Sequence, residues 1–148
     1  PRATHSTSSA GQMCIRDRPG TSWSELAAAG GYVTWIGRTD GTLWAVGDNY
    51  GDRRGALAQN HNDKRSSPVQ IPGTTWGTNQ NHFRAAGTPL AMKTDGTIWS
   101  WGYNSSGSIG QNNRTDYSSP VQIGSETDWI AIDNAGGALY GIREDTTP

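Results

Sequence analysis

The residue types able to do chemistry are few in this chain, and they stand apart. His5, His61 and His82 fall at no spacing that suits a metal site or a catalytic triad. Cys14 is the only cysteine, which excludes a disulfide scaffold or a multi-cysteine metal centre within these residues. Asp48-Asn49-Tyr50-Gly51-Asp52 is oxygen-rich, yet it lacks the further ligands and the terminal bidentate glutamate of a calcium loop. Neither a nucleophile-elbow serine motif nor a phosphate-binding Gly-Lys-Ser/Thr is present. The reading is therefore a non-enzymatic chain with no catalytic residue, no metal and no cofactor. Two stretches, Asn104-Ser105-Ser106 and Asn113-Arg114-Thr115, match the N-glycosylation acceptor pattern, in Asn/Ser-rich loops where the pattern arises easily by chance. The remaining candidate is Tyr50, Asp52, Arg53 and Arg54, since tyrosine with two arginines is the composition of a protein-contact hot spot.

What must position these residues is a repeat. TDGTLWAVGDN at 39–49 returns as TDGTIWSWGYN at 94–104, SSPVQI at 66–71 returns at 118–123, and AGG at 29–31 returns at 135–137. Trp23, Trp76 and Trp129 open successive units and lie 53 residues apart each time. Between Asn49 and Gly55 the first unit carries three residues that the second lacks, and insertions of this kind gather on loops. Tyr50, Asp52, Arg53 and Arg54 lie on or beside that insertion. The recurrent positions Trp23, Trp76, Trp129, Asp40, Gly41, Trp44, Gly47, Asp95, Gly96, Trp99 and Gly102 are expected to be structural.

Each unit reads as several short strands without a helix of useful length. Asp40-Gly41 suits a two-residue type I′ hairpin turn, which would set Thr39 against Thr42, Gly37 against Trp44 and Trp35 against Val46. One face of that hairpin would collect Trp35, Trp44 and Val46. In the second unit it would collect Leu90, Met92, Trp99 and Trp101. Neither face is polar throughout, so each unit is expected to pack between neighbours on both sides. WSELAAAGG at 23–31 has a short helical look, but its counterpart WGTNQNHFRAAG does not, and strand or loop is the better reading.

These motifs resemble the repeats of the regulator of chromosome condensation family in their bacterial style, over Trp23 to about Asp145. The resemblance implies an all-β fold, a β-propeller fragment of four-stranded blades, with two repeats of about 53 residues and the start of a third. The expected units are 19–71, 72–124 and a partial 125–148. Family repeats carry a histidine soon after the glycine pair; here Val33 holds that place, and AGTPLAMK in the second unit lacks both it and the second glycine.

Met13–Arg18, MCIRDR, resembles a translated sequencing-library adapter, and homology to the repeat resumes abruptly at Pro19. Residues 1–18 are expected to be an arm without structure or function. The chain starts without methionine and stops as a third unit begins, so it reads as part of a longer protein whose missing blades, or a second copy, would cover its exposed edges. Expressed alone it is expected to be marginal in stability or to self-associate.

With 12 basic and 13 acidic residues the net charge is −1, which leaves no global field for nucleic acid or an anionic membrane. No apolar run is long enough for a spanning helix. Seven tryptophans must supply much of the burial that a glycine-rich chain with few aliphatic residues otherwise lacks. The leading expectation is a scaffold that binds a protein partner through propeller loops, on the outside of a bacterial cell or secreted. Two rivals are a guanine-nucleotide exchange factor for a small GTPase, implied by the resemblance, and a lectin-like module using exposed aromatics.

Overall fold

The computed structural model describes residues 23–30, 32–51, 54–86, 88–135 and 138–144, so the arm at 1–18 lies outside the described residues. Among the described residues ten strands form three antiparallel sheets in strict chain order. The first sheet runs β1 (Trp23–Gly30), β2 (Val33–Arg38), β3 (Leu43–Gly47) and β4 (Arg65–Gln70). The second runs β5 (Phe83–Ala86), β6 (Thr88–Met92), β7 (Ile98–Gly102) and β8 (Tyr117–Ile123). The third pairs β9 (Trp129–Ala135) with β10 (Ala138–Arg143). Trp23–Gly30 is a strand, and the corresponding stretch of the second unit holds one 3-10 turn at Gln80–His82 followed by β5. The all-β fold and the two four-stranded sheets are what the resemblance implied.

The hairpin turn corrects the expected register. Arg38 N–H donates to the Thr42 carbonyl at 2.9 Å and Gly41 N–H to the Arg38 carbonyl at 3.1 Å. Thr39, Asp40 and Gly41 therefore form a three-residue loop, with Gly41 at φ +78° as the left-handed residue of a G1 bulge. Lys93, Thr97 and Gly96 repeat the pattern at 2.9 and 3.0 Å. The observed pairs are Gly37 with Leu43, Ile36 with Trp44 and Trp35 with Ala45. Likewise Leu90 pairs with Ser100, Ala91 with Trp99 and Met92 with Ile98. Because side chains alternate along a strand, this shift of one residue moves each set to the other face. Trp35 thus lies with Leu43 and Ala45 rather than with Trp44 and Val46. Trp99 and Trp101 lie with Ala91 rather than with Leu90 and Met92.

The motif T-D-G-T-x-W has a direct physical cause. Asp40 Oδ1 accepts from Thr42 N–H at 3.1 Å and from its hydroxyl at 2.6 Å, while the Thr42 hydroxyl accepts from Trp44 Nε1 at 2.9 Å. Asp95, Thr97 and Trp99 repeat the chain at 3.0, 2.6 and 2.8 Å. The Thr42 and Thr97 hydroxyls, then their amides, hold the two carboxyls below their ordinary pKa. The turn also docks on the next unit. Trp76 N–H donates to Gly41 O at 2.9 Å, and a Cβ on Gly96 would lie 2.0 Å from the Thr127 carbonyl oxygen. Glycine is needed there both for its positive φ and for the close approach.

Aromatic residues join the sheets. Trp35, Leu43 and Ala45 of the first sheet are buried against Phe83, Ala91 and Trp101 of the second, with Trp76 and Leu57 in the same cluster. Ring centroids follow one another at 6.0 Å (Trp35 to Phe83), 6.4 Å (Phe83 to Trp101) and 5.9 Å (Trp101 to Trp76). Trp35 Nε1 and Trp101 Nε1 both donate to the Ala56 carbonyl, at 3.2 and 2.9 Å, so the two sheets share one acceptor. The opposite face of the second sheet buries Leu90, Met92 and Ile98 against Ile132 of β9. Both faces of this sheet are therefore covered by neighbours.

The tryptophan that opens each unit meets a cation from the same unit. Trp23 stands edge-on to Trp44 at 6.5 Å with Arg38 5.9 Å above it. Trp76 stands edge-on to Trp99 at 6.2 Å, and Lys93 Nζ lies 5.0 Å from the first ring and 4.1 Å from the second. Arg143 covers Trp129 at 5.6 Å.

Candidate interaction surface

The alternation of strand direction puts the T-D-G-T turns at one end of the sheets and the β1–β2 and β3–β4 connections at the other. The long β3–β4 and β7–β8 connections are each built on a buried asparagine. Asn49 Nδ2 donates to the His61 carbonyl at 2.6 Å while its Oδ1 accepts from Leu57 N–H at 3.1 Å. Asn104 Nδ2 donates to the Asn113 and Thr115 carbonyls at 3.0 and 2.9 Å, and its Oδ1 accepts from Ile109 N–H at 2.9 Å. Leu57 and Ile109 are fully buried plugs. Gln59 and Gln111 each close their loop onto the following strand at 2.7 Å, through the Gln70 and Gln122 carbonyls. The three extra residues of the first unit lie between Asn49 and Leu57 and leave this skeleton unchanged. The alternating pattern G-A-L-A-Q against G-S-I-G-Q carried the signal for the plug and the glutamine, and sequence reasoning did not single it out.

On this frame Tyr50 is 70% exposed, and Asp52 and Arg53 lie outside the described residues. Arg54 turns toward the second sheet. Its Nε donates to Gly51 O at 3.1 Å and lies 3.4 Å from Asp116 Oδ2, while the guanidinium sits 5.3 Å over the Tyr103 ring. Tyr50 and Arg54 therefore do different things: one stands in solvent, the other clips the loop of one unit to that of the next.

Sequence reasoning missed Tyr32, on the neighbouring β1–β2 connection and 72% exposed. Asp48 ties the two tyrosines together. Its N–H donates to the Tyr32 carbonyl at 3.0 Å, and its carboxylate accepts from Tyr50 N–H at 3.1 Å and faces Lys64 Nζ at 3.5 Å. Desolvation pulls the Asp48 pKa upward, but the Tyr50 amide and Lys64 outweigh it, and the carboxyl stays below its ordinary value. A Cβ on Gly47 would fall 2.1 Å from the Tyr32 carbonyl oxygen, so glycine is what lets the two connections meet.

The histidines are occupied locally. His61 Nε2 lies 3.0 Å from Arg65 Nη2, His82 Nε2 lies 3.0 Å from Asn79 Nδ2, and His5 is outside the described residues. Among the described residues no three His, Cys, Asp or Glu side chains gather as a metal site. Of the two glycosylation-like asparagines, Asn104 is buried in its loop skeleton and Asn113 is exposed. A separate cleft of about 410 Å³ lies between the Gln80–His82 turn and the third sheet. It is lined by Asn81, Tyr140, Ile142 and an Arg84–Asp133 pair at 3.0 Å.

Comparison with known proteins places this architecture. The family model described as "Regulator of chromosome condensation (RCC1) repeat" matches residues 95–138, from the second T-D-G turn to the first residue of β10. The mouse X-linked retinitis pigmentosa GTPase regulator is 31% identical over 109 residues, covering 72% of this chain and 11% of the relative. The crystal structure of human WBSCR16 superposes with a TM-score of 0.62 at 18% identity, over 86% of this chain and 32% of that one. Yeast RCC1 (Prp20), solved bound to Kap60, gives 0.53 at 19% identity over 87% and 32%. The two structures share the fold, the family model and the mouse relative share the sequence pattern, and the chain is a set of blades belonging to the regulator of chromosome condensation repeat family.

Proposed function

We propose that the chain serves a non-enzymatic protein-interaction scaffold and that its partner-facing surface is the end carrying Tyr32 and Tyr50. The observation behind this reading is the exposure of two tyrosines on adjoining connections. In both units the aspartate and second threonine of the turn, and the asparagine and first glutamine of the long connection, are engaged in holding a turn or a loop. Among the described residues the two most exposed large aromatics stand on connections that Asp48 ties together. Tyrosine presented on a rigid frame gives large contact area at low entropic cost. Arg54, clipped between units, holds the loop. A glycan-binding module built on tryptophan is disfavoured, because Trp35, Trp76 and Trp101 are sealed in the core.

A second reading, nucleotide exchange on a small GTPase, is favoured by the mouse relative's being a GTPase regulator. A photo-crosslinker in place of Tyr50 is expected to capture a protein saturably in the source cells, and Tyr32→Ser is expected to reduce that capture. Equal capture by the variant would sink the surface assignment. Faster release of labelled nucleotide from a small GTPase would replace scaffold by exchange.

A further inference from the structure

Lysine stands only at 64 and 93 in the chain, and the two ammonium groups are held in opposite ways. Lys64 has an exposed side chain that faces Asp48 Oδ1 at 3.5 Å. Lys93 stands in a corner made by two tryptophans: the rings of Trp76 and Trp99 meet at 84° with centroids 6.2 Å apart, and Lys93 Nζ lies 5.0 Å from the first and 4.1 Å from the second. Both walls are fixed. Trp76 is bridged to Lys93 along the backbone, with Gly77 N–H donating to the Met92 carbonyl and Thr94 N–H to the Thr75 carbonyl, each at 2.8 Å. Trp99 is oriented by its indole N–H, which donates to Thr97 Oγ1 at 2.8 Å. The first unit builds the same corner from Trp23 and Trp44 at 79°, but its cation is Arg38, which pairs with Asp40 at 3.0 Å. Arg143 over Trp129 likewise pairs with Asp128, at 2.8 Å. Among the described residues Lys93 Nζ has no hydrogen-bond acceptor and no carboxylate in contact, and Asp95, held by Thr97, acts on it only through space.

We propose that Lys93 is a site of N-methylation and that the corner of Trp76 and Trp99 is the cage for the methylated ammonium. An unmodified ammonium here turns N–H groups toward ring faces, which replace its water poorly, because the compact charge of lysine is strongly hydrated. Each methyl takes the place of one such N–H, keeps the positive charge and adds contact with an indole face. That is the chemistry by which aromatic cages bind methylated lysine. At Lys64 the same change would remove donors from the pair with Asp48 and gain no ring. A sulfonium methyl donor supplies each group: the Nζ lone pair forms the new N–C bond, the S–C bond of the donor breaks with its electron pair to sulfur, and the proton displaced from Nζ passes to solvent. Lys93 is half-buried and leads directly into the exposed Thr94 and Asp95, so a modifying enzyme approaches it from the turn. Acetylation at the same nitrogen would cancel the charge and with it the attraction to both rings.

The site and the cage are tested separately. Cleavage after arginine releases residues 85–114, in which Lys93 is the sole lysine. In protein isolated from the cells that encode it, the accurate mass of this fragment is expected to show methyl groups on Lys93, and an unmodified or acetylated lysine there overturns the site. For the cage, the full chain is methylated with carbon-labelled formaldehyde and dimethylamine–borane, and the methyl groups on Lys64 serve as the internal standard. The Lys93 methyl protons are expected to resonate upfield of those on Lys64, shielded by the two indole rings, and Trp99→Leu is expected to reduce that shift while the Lys64 signal stays in place. In Lys64→Arg, where Lys93 is the only side-chain amine, methylation is expected to raise the midpoint of thermal unfolding and acetylation to lower it. Coincident Lys93 and Lys64 signals, an upfield shift that survives Trp99→Leu, or a midpoint that does not rise on methylation overturns the cage.

Discussion

The side chains that define each unit act through single contacts whose loss can be predicted. Thr97 is 7% exposed and links the Asp95 carboxylate to Trp99 Nε1, so Thr97→Val leaves a carboxylate and an indole N–H short of partners. The expected cost is about 1 to 2 kcal/mol in urea unfolding, and Thr97→Ser should recover most of it. Gly96 and Gly51 separate two effects that a positive φ confounds. Both are left-handed, but a Cβ on Gly96 collides with Thr127, whereas one on Gly51 meets nothing within 4 Å. Gly51→Ala is expected to cost about 1 kcal/mol and Gly96→Ala at least twice that. His82 gives a pH dependence. Burial lowers its pKa from the ordinary 6.5, so the folded state favours the neutral ring. The associated stability is present above pH 6.5 and is lost as pH falls through the lower folded value. His82→Gln should flatten that part of the stability profile, and an unchanged profile would show that the ring is solvated when folded.

At the scale of the element, strand positions and blade count were legible because landmarks recur in fixed order, while register and loop architecture were not. Asp-Gly suits both a two-residue turn and a three-residue turn with a bulge. Hydrophobic alternation could not decide between them, because both faces of the hairpin are apolar. The deciding interaction is the threonine after the glycine, whose hydroxyl and amide both bind the aspartate, and that is visible only as geometry. The candidate surface was half legible. Tyr50 was found because it lies in an insertion, whereas Tyr32 sits next to a glycine pair with no marker of its own. Asn49 and Asn104 were landmarks of the repeat, yet their role follows only once both are seen at the centre of a loop with every amide atom bonded. Asn104→Ala removes three backbone contacts at a buried site. It is expected to cost about 2 to 3 kcal/mol. It should also make residues 105–116 the first site of proteolysis, while the equivalent loop of the first unit stays intact.

For the molecule as a whole, the sheets are coupled face to face rather than through the chain that joins them. Trp101 is fully buried, packs on Phe83 and Trp76, and shares the Ala56 carbonyl with Trp35. Trp101→Ala is expected to cost about 3 to 5 kcal/mol. Both complete sheets should be lost in one transition, measured as coincident loss of tryptophan fluorescence and far-ultraviolet dichroism. Two separated transitions would mean that the sheets fold independently.

The place of the T-D-G turn within each sheet bears on how such a chain changes length over generations. The turn stands between the second and third strands, so the two near-identical stretches at 39–49 and 94–104 divide their sheets at the same point. An unequal genetic exchange between the stretches removes or adds 55 residues. A deletion joins β1 and β2 to β7 and β8 through an unaltered turn, with the aspartate, both threonines and the glycine in place. The sheet remains four-stranded whichever way the exchange goes. A gene encoding such units can therefore lose or gain a blade in one event without ever encoding half a blade, and differences in blade number among its descendants should fall in whole steps.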